Sequence, residues 1–418
     1  MIELNHFATI CLFLAIAHTF SVRKFTKWAL HYPEGSVAEN LLHLLGEVEV
    51  VFGLWAGVFS AYYMFSEGPQ ALIAYLESLN FTEPTFVFVI MAICSTRPLL
   101  SLSLRLIHKA STVLPFSKGI SFYLVTLILG PLLGSFITEP AAMTVTALIL
   151  LQYFFKSGIS LKFKYATLGL LFVNISIGGT LTHFAAPPVL MVANVWNWDL
   201  PFMFNNFGWK AMVACTVSTS LIAYYFQKEL DAISIPTSPP KNIPFWVTGL
   251  HLLFLALVVA TSHHLVAFLP LFLFFLGVTK VTQEFQDPIK LNDGLMVAFF
   301  LGGLVILGGF QRWWVEPIIM GLASFPLYLG ATILTAFTDN AALTYLGAQL
   351  PNLAPASKYF LVSGAVVGGG LSVIANAPNP AGYGILNSQF GEGGISPLGL
   401  LAGALLPTLI AFGCFWFL

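Results

Sequence analysis

Seven residues of this chain are written twice. Thr138-Glu139-Pro140-Ala141-Ala142-Met143-Thr144 returns two hundred positions later as Thr338-Asp339-Asn340-Ala341-Ala342-Leu343-Thr344. Glu139 is the only charged residue between Lys118 and Lys156, and Asp339 the only one between Glu316 and Lys358. A carboxylate at that depth in a bilayer is costly unless something offsets it. Two of them at matched positions of an internal repeat favour a fold in which related halves bring their acids to a shared polar place.

Composition fixes the solvent. Of 418 residues, 57% are hydrophobic and 8% charged, with a mean hydropathy of +0.86; a soluble domain carries about 25% charged residues. A polytopic membrane protein embedded in a lipid bilayer follows, with length for about ten to twelve helical segments of roughly 20 residues. A formal net charge of −1 gives no reason to expect nucleic acid. Cys11, Cys94, Cys215 and Cys414 lie far apart in apolar runs without CxxC spacing, so they read as small buried hydrophobes rather than a zinc or redox site. The first apolar run, residues 6–22, is followed by Arg23, Lys24 and Lys27, the reverse of a secretory leader; it reads as a first transmembrane helix entering the cytoplasm.

Hydropathy predicts spans at 6–22, 40–65, 85–104 and 208–227, then 244–261, 263–279, 291–311 and 397–417. The stretches 120–156 and 315–353 carry polar breaks near their centres and read as hairpins. The stretches 165–196 and 358–387 are interrupted by Gly, Pro and Asn. Placing the N-terminus outside and returning each hairpin to the side it entered puts thirteen basic residues in the cytoplasm: Arg23, Lys24, Lys27, Arg105, Lys109, Lys118, Lys156, Lys162, Lys164, Lys228, Lys241, Lys280 and Lys290. Lys210, Arg312 and Lys358 fall outside, and Arg97 within a span. That is the positive-inside bias of an inner (plasma) membrane protein with both termini outside the cytoplasm.

The same count gives the halves opposite orientations. The expected fold is therefore an all-α polytopic membrane protein with two inverted-topology repeats, each holding a re-entrant hairpin and a broken transmembrane helix. Residues 1–227 form the first (hairpin 120–156, broken helix 165–196), residues 228–243 a cytoplasmic linker containing Pro236, Pro239 and Pro240, and residues 244–418 the second (hairpin 315–353, broken helix 358–387). The breaks match too: Gly178-Gly179 with Ala186-Pro187-Pro188, and Gly369-Gly370 with Ala377-Pro378-Asn379. Paired glycines and prolines free backbone carbonyls, which membrane depth tolerates only inside protein or beside a water-filled cavity. Carbonyls, Thr hydroxyls, Asn amides and carboxylates are the hard oxygen ligands of a small cation.

At these residues the chain resembles the ion transporter superfamily, which includes NhaD-type sodium/proton antiporters, arsenite permeases and sodium/dicarboxylate carriers. The text that carries the likeness runs from Gly178 to Pro188, from Thr335 to Asn340 and from Gly368 to Asn379; within the group it is similar to a bacterial family described as putative sodium/proton antiporters. The resemblance covers most of 85–418. It implies ion sites at hairpin tips and unwound helices, a scaffold domain, a moving transport domain and a homodimer. Dicarboxylate carriers of that group have Ser-Asn-Thr tips; Thr138-Glu139-Pro140 and Thr338-Asp339-Asn340 depart from this, and acids at the tips disfavour an anionic substrate.

Asp339 and Glu139 are the candidate Na+ and proton sites, with Thr138, Thr338, Asn340, Asn376 and Asn379 as neighbouring ligands. Each acid could also simply cap the helix that follows its turn. Burial opposes the charged carboxylate and a bound cation favours it, which is a sufficient basis for exchanging one for the other. Asn174, Thr182 and His183 are possible further ligands or proton carriers, against a structural role tying down freed backbone. Glu47 and Glu49 lie in the second span with His43 and, two residues apart, point to different faces of a helix; one of them is expected to pair with Arg97, and a second proton path is the alternative. His263-His264 reads as a solvated loop, and Trp196, Trp198, Trp313 and Trp314 as an interfacial belt.

The expected activity is exchange of Na+, or another monovalent cation, for H+ by alternating access, with no cofactor besides the transported ions. An Na+- or H+-coupled carrier of a small anionic or neutral solute is the first alternative, disfavoured by the lack of an Arg near the tips. An intramembrane enzyme or assembly factor is remote, since no HExxH or nucleophile–base pair is present.

Overall fold

The structure, a computed structural model, describes residues 2–235, 243–289, 291–350, 352–391 and 394–418, together with the backbone but not the side chains of residues 23, 48 and 49. The linker prolines Pro236, Pro239 and Pro240, Lys241, Lys290 and the side chains of Arg23 and Glu49 lie outside the described residues. Every regular element among the described residues is helical.

Proline, glycine and charge divide the apolar chain more finely than hydropathy predicts. Among the described residues, three helices are long and apolar enough to cross a membrane alone: Lys118–Ile137, Leu291–Gly308 and Pro397–Phe417. Pro69–Ser78 and Thr82–Cys94 pass that test together but meet at 61°. Leu4–Thr19, Pro187–Trp196, Phe245–Ala260, Leu265–Val281 and Ser324–Thr335 are apolar but shorter. Most of these apolar helices are thus shorter than the roughly 20 residues expected of each segment. The span expected at 40–65 breaks at Gly46-Glu47, between helices Val37–Leu45 and Val48–Glu67. The span expected at 85–104 stops at Cys94, and a separate helix, Arg97–Ser111, starts with Pro98 in its first turn. The stretch expected to form one hairpin from 315 is divided: Arg312–Met320 folds as a helix of its own, and the next helix begins at Ser324.

One group of helices packs around α1 (Leu4–Thr19), α2 (Val48–Glu67) and α3 (Thr82–Cys94). α1 lies on α2, and both α2 and α3 pack on Leu291–Gly308. Phe52 and Phe300 meet edge to face, ring centroids 4.9 Å apart, inside this core. Gly303 lets the two backbones touch, since a Cβ there would run into the backbone of Phe52 and Gly53. α4 (Arg97–Ser111) links this group to the first duplicated stretch.

The duplicated stretches form the second group. α5 (Lys118–Ile137) and α6 (Glu139–Tyr153) join at Thr138 and pack on each other. α7 (Leu161–Gly178) ends in a 3-10 turn at Gly179–Leu181, and α8 (Pro187–Trp196) resumes after the break; α9 (Trp209–Tyr225) follows. In the second half α10 (Ser324–Thr335) precedes α11 (Asn340–Ala348), and α12 (Pro355–Gly368) and α13 (Asn379–Leu386) flank the second break. α14 (Pro397–Phe417) closes the chain against α7 and α9. The halves exchange partners: α8 packs on α11, and α13 packs on α6. The two helices that lead into the breaks meet where Ser176 Oγ donates to the Val366 carbonyl at 2.7 Å.

Trp196 and Trp198 are both buried, edge to face at 5.1 Å in a core with Met203 and Phe207. Their expected place in an interfacial belt is corrected: Asn197 adopts a left-handed backbone (φ +55°) that ends α8 and turns both indoles inward. Trp313 is exposed and Trp314 half-buried.

Candidate functional site

The site grows from two helix starts. At the first, Thr138 adopts φ +71°, a region that a β-branched residue enters only under strain. The turn it makes puts Glu139 at the first position of α6, and Pro140 withholds an amide that the second turn retains. Glu139 is fully buried. Its Oε2 accepts a 2.9 Å hydrogen bond from Asn376 Nδ2, a residue of the other half. Its Oε1 meets no hydrogen-bond donor among the described residues. Gly179 leaves room for this carboxylate, because a Cβ there would collide with Oε1.

At the second start, Asp339 caps α11: its Oδ1 accepts from the amides of Ala341 at 2.7 Å and Ala342 at 3.3 Å. The capping role weighed from sequence is therefore real. Asp339 is 8% exposed and also lines a cavity of about 30 Å³ with Thr338, Asn376 and Thr19. That exceeds the roughly 10–15 Å³ needed to admit one water, so a water or a small cation fits. Glu139 lies within Coulombic reach of Asp339. Asn340 anchors the second turn to the second break, its amide donating to the Ala375 carbonyl at 3.1 Å and its Nδ2 reaching Ser176 Oγ at 3.4 Å. Asn379 Nδ2 spans the break by donating to the carbonyls of Gly369 (2.7 Å) and Ser372 (2.9 Å).

The amide nitrogens of these asparagines have partners, but their oxygens do not. Thr138 Oγ1, Glu139 Oε1, Asn340 Oδ1, Asn376 Oδ1 and Asn379 Oδ1 are buried and meet no donor among the described residues. Native interiors leave few such atoms. Carboxylate, hydroxyl and amide oxygens lacking donors are the donor set of a hard cation.

A second cavity, of about 300 Å³, shares Val297 and Ala377 with the first. Pro140, Ala141 and Thr144 of the first turn line it, together with Glu47, Ser95 and Asp293. Glu47 and Asp293 are exposed. Asp293 was missed in the sequence; its signal was a lone acid two residues into an apolar helix.

The remaining sequence candidates lie elsewhere or are occupied. Asn174 ties three helices together, Nδ2 donating to the Leu127 carbonyl (2.8 Å) and Thr219 Oγ1 (3.0 Å) while Oδ1 accepts from Ser218 (3.2 Å). Thr182 Oγ1 donates to the Ser135 carbonyl at 2.7 Å, fastening the first break to α5. His183 stacks with His263, ring centroids 6.3 Å apart, and its Nδ1 is buried and meets no partner among the described residues. Arg97 pairs with Asp287 at 3.2 Å and donates to the carbonyls of Phe285 (2.9 Å) and Glu284 (2.6 Å). The pairing expected of Arg97 with Glu47 or Glu49 is corrected for Glu47, since Arg97 begins α4 beside the 284–287 loop and Glu47 faces the second cavity; the Glu49 side chain lies outside the described residues.

The sequence model of a family described as "Putative Na+/H+ antiporter" matches residues 3–418. No curated protein matches the chain.

Proposed function

The chain belongs to the putative Na+/H+ antiporter family, and from that premise we propose that it exchanges Na+, or another monovalent cation, for protons by alternating access. Membership makes it a membrane protein of the transporter kind rather than an enzyme. The observation that carries the finer reading is the set of buried oxygens without donors around Glu139, Asn340, Asn376 and Asn379, next to Asp339. A cation entering there displaces the proton that keeps a buried carboxyl neutral, and a returning proton displaces the cation. Neither step needs a further base.

Two inverted repeats with hairpin tips meeting at mid-membrane would account for the exchange of partners between α6, α8, α11 and α13. The Lys and Arg distribution assigns Glu47 and Asp293 to the cytoplasmic side of the inner membrane. The cavity they share with Pro140 and Thr144 then leads from the cytoplasm to the site. Lys and Arg are absent from the described lining of both cavities, which disfavours an anionic solute.

The test is direct. Protein reconstituted in vesicles with a trapped pH dye should move protons when NaCl, LiCl or KCl is added, with one cation preferred. Vesicles that show no cation-driven proton movement at any pH from neutral to alkaline would overturn the reading.

A further inference from the structure

α4 and α6 face each other without closing. Leu100, Leu104 and His108 stand four residues apart along one face of α4, opposite Val145, Leu148, Ile149 and Gln152 on α6. The space between them measures about 810 Å³, far beyond the roughly 30 Å³ share of a water molecule. Its middle is apolar and its ends are polar. At one end Arg97 is already neutralised by Asp287. At the other stand His108, Gln152, Tyr153 and Lys156, and among the described residues no carboxylate pairs with Lys156.

We propose that this groove binds one anionic phospholipid, its acyl chain lying between Leu104 and Leu148 and its phosphate at Lys156 and His108. Three observations select this occupant. Leu148 is 47% exposed in a chain whose surroundings are lipid. The unpaired cation stands at the edge that the basic residues assign to the cytoplasm, where anionic headgroups collect and basic pockets between helices hold them. Of the two basic side chains that line the groove, Arg97 is neutralised by Asp287 and, among the described residues, Lys156 is not, with leucines and Ile149 between them, which suits one acyl chain and one anionic headgroup. α4 is also the link between the helices around α2 and the duplicated group that carries Glu139, so a lipid wedged against α6 would set how these two groups sit.

The site requires only that the chain lie in a bilayer, so its failure and failure of the exchange reading are separable. The purified full chain in neutral detergent should show a saturable rise in thermal unfolding midpoint with phosphatidylglycerol, and little with phosphatidylcholine or inorganic phosphate. Lys156→Glu should weaken phosphatidylglycerol binding about tenfold, while Lys162→Glu, at a different groove, should not. Leu148→Trp, which fills the groove and keeps every charge, should also abolish the effect, and serves if the charge-reversed protein does not fold. Equal stabilisation by both lipids, an effect of phosphate alone, or undiminished lipid preference in both groove variants would overturn the proposal.

Discussion

Asn376 Nδ2 donates to Glu139 Oε2 at 2.9 Å across 237 positions of chain. The bond joins the break of the second half to the turn of the first, and the oxygen of each side chain that takes no part in it meets no donor among the described residues. A neutral donor therefore holds a buried acid in place while leaving its remaining oxygen available to a cation.

Asn376→Ala removes the one donor to Glu139 that the geometry shows. Loss of a buried partner costs about 1–3 kcal/mol, so the unfolding midpoint should fall and the apparent KM for the cation should rise. Dye-monitored exchange over a range of cation concentrations checks both the site and its affinity. An unchanged KM would remove Asn376 from the site.

Asp339 has two roles that substitution separates. Asn caps a helix about as well as Asp, whereas Ala loses about 1 kcal/mol. Asp339→Asn should therefore keep the midpoint close to wild type and abolish exchange, and Asp339→Ala should lower both. Full exchange in Asp339→Asn would leave the residue a cap and nothing more.

Thr138 trades backbone ease for an oxygen. Glycine accepts φ +71° freely, and the strain relieved is about 1 kcal/mol. Thr138→Gly should fold at least as stably as wild type yet bind the transported cation less tightly. Cation-dependent thermal shift reads both quantities in one titration. Equal cation stabilisation of the two proteins would exclude Thr138 as a ligand.

Gly179→Ala places a methyl group on the carboxylate of Glu139. Overpacking of this kind costs about 1–3 kcal/mol, and the carboxylate must turn away from the site. Exchange should be lost in Gly179→Ala but survive Gly384→Ala, where a Cβ meets open space.

Glu47 and Asp293 sit at the mouth of the wider cavity. Acids there concentrate cations without binding them in the site. The double variant Glu47→Gln, Asp293→Asn should raise KM at low ionic strength while keeping the maximal rate, with the difference fading in high salt. A fall in maximal rate alone would show that these acids act at a later step.

Much of the architecture was written in the sequence because lipid imposes few choices. An apolar chain must satisfy its backbone internally, so helices follow from composition. A lone acid, a glycine pair or a proline in such a chain marks where a helix breaks. Glu139, Asp339 and Gly179 were therefore legible from the repeat itself, and Asn376 only as one of several asparagines in or near a break. Pairing across space was not. Arg97 read as a mid-span charge for Glu47 or Glu49, but its partner, Asp287, belongs to a loop that hydropathy ignores. Asn174 and Asn376 looked alike as residues near a break; the first has its amide saturated by Leu127, Thr219 and Ser218, while the second keeps a buried oxygen without a donor. The sequence by itself determined where the chain bends and which side chains are too costly to keep without a reason. Only the tertiary structure decided which of their polar atoms find partners, because hydrogen bonds are settled by neighbours brought together from distant parts of the chain.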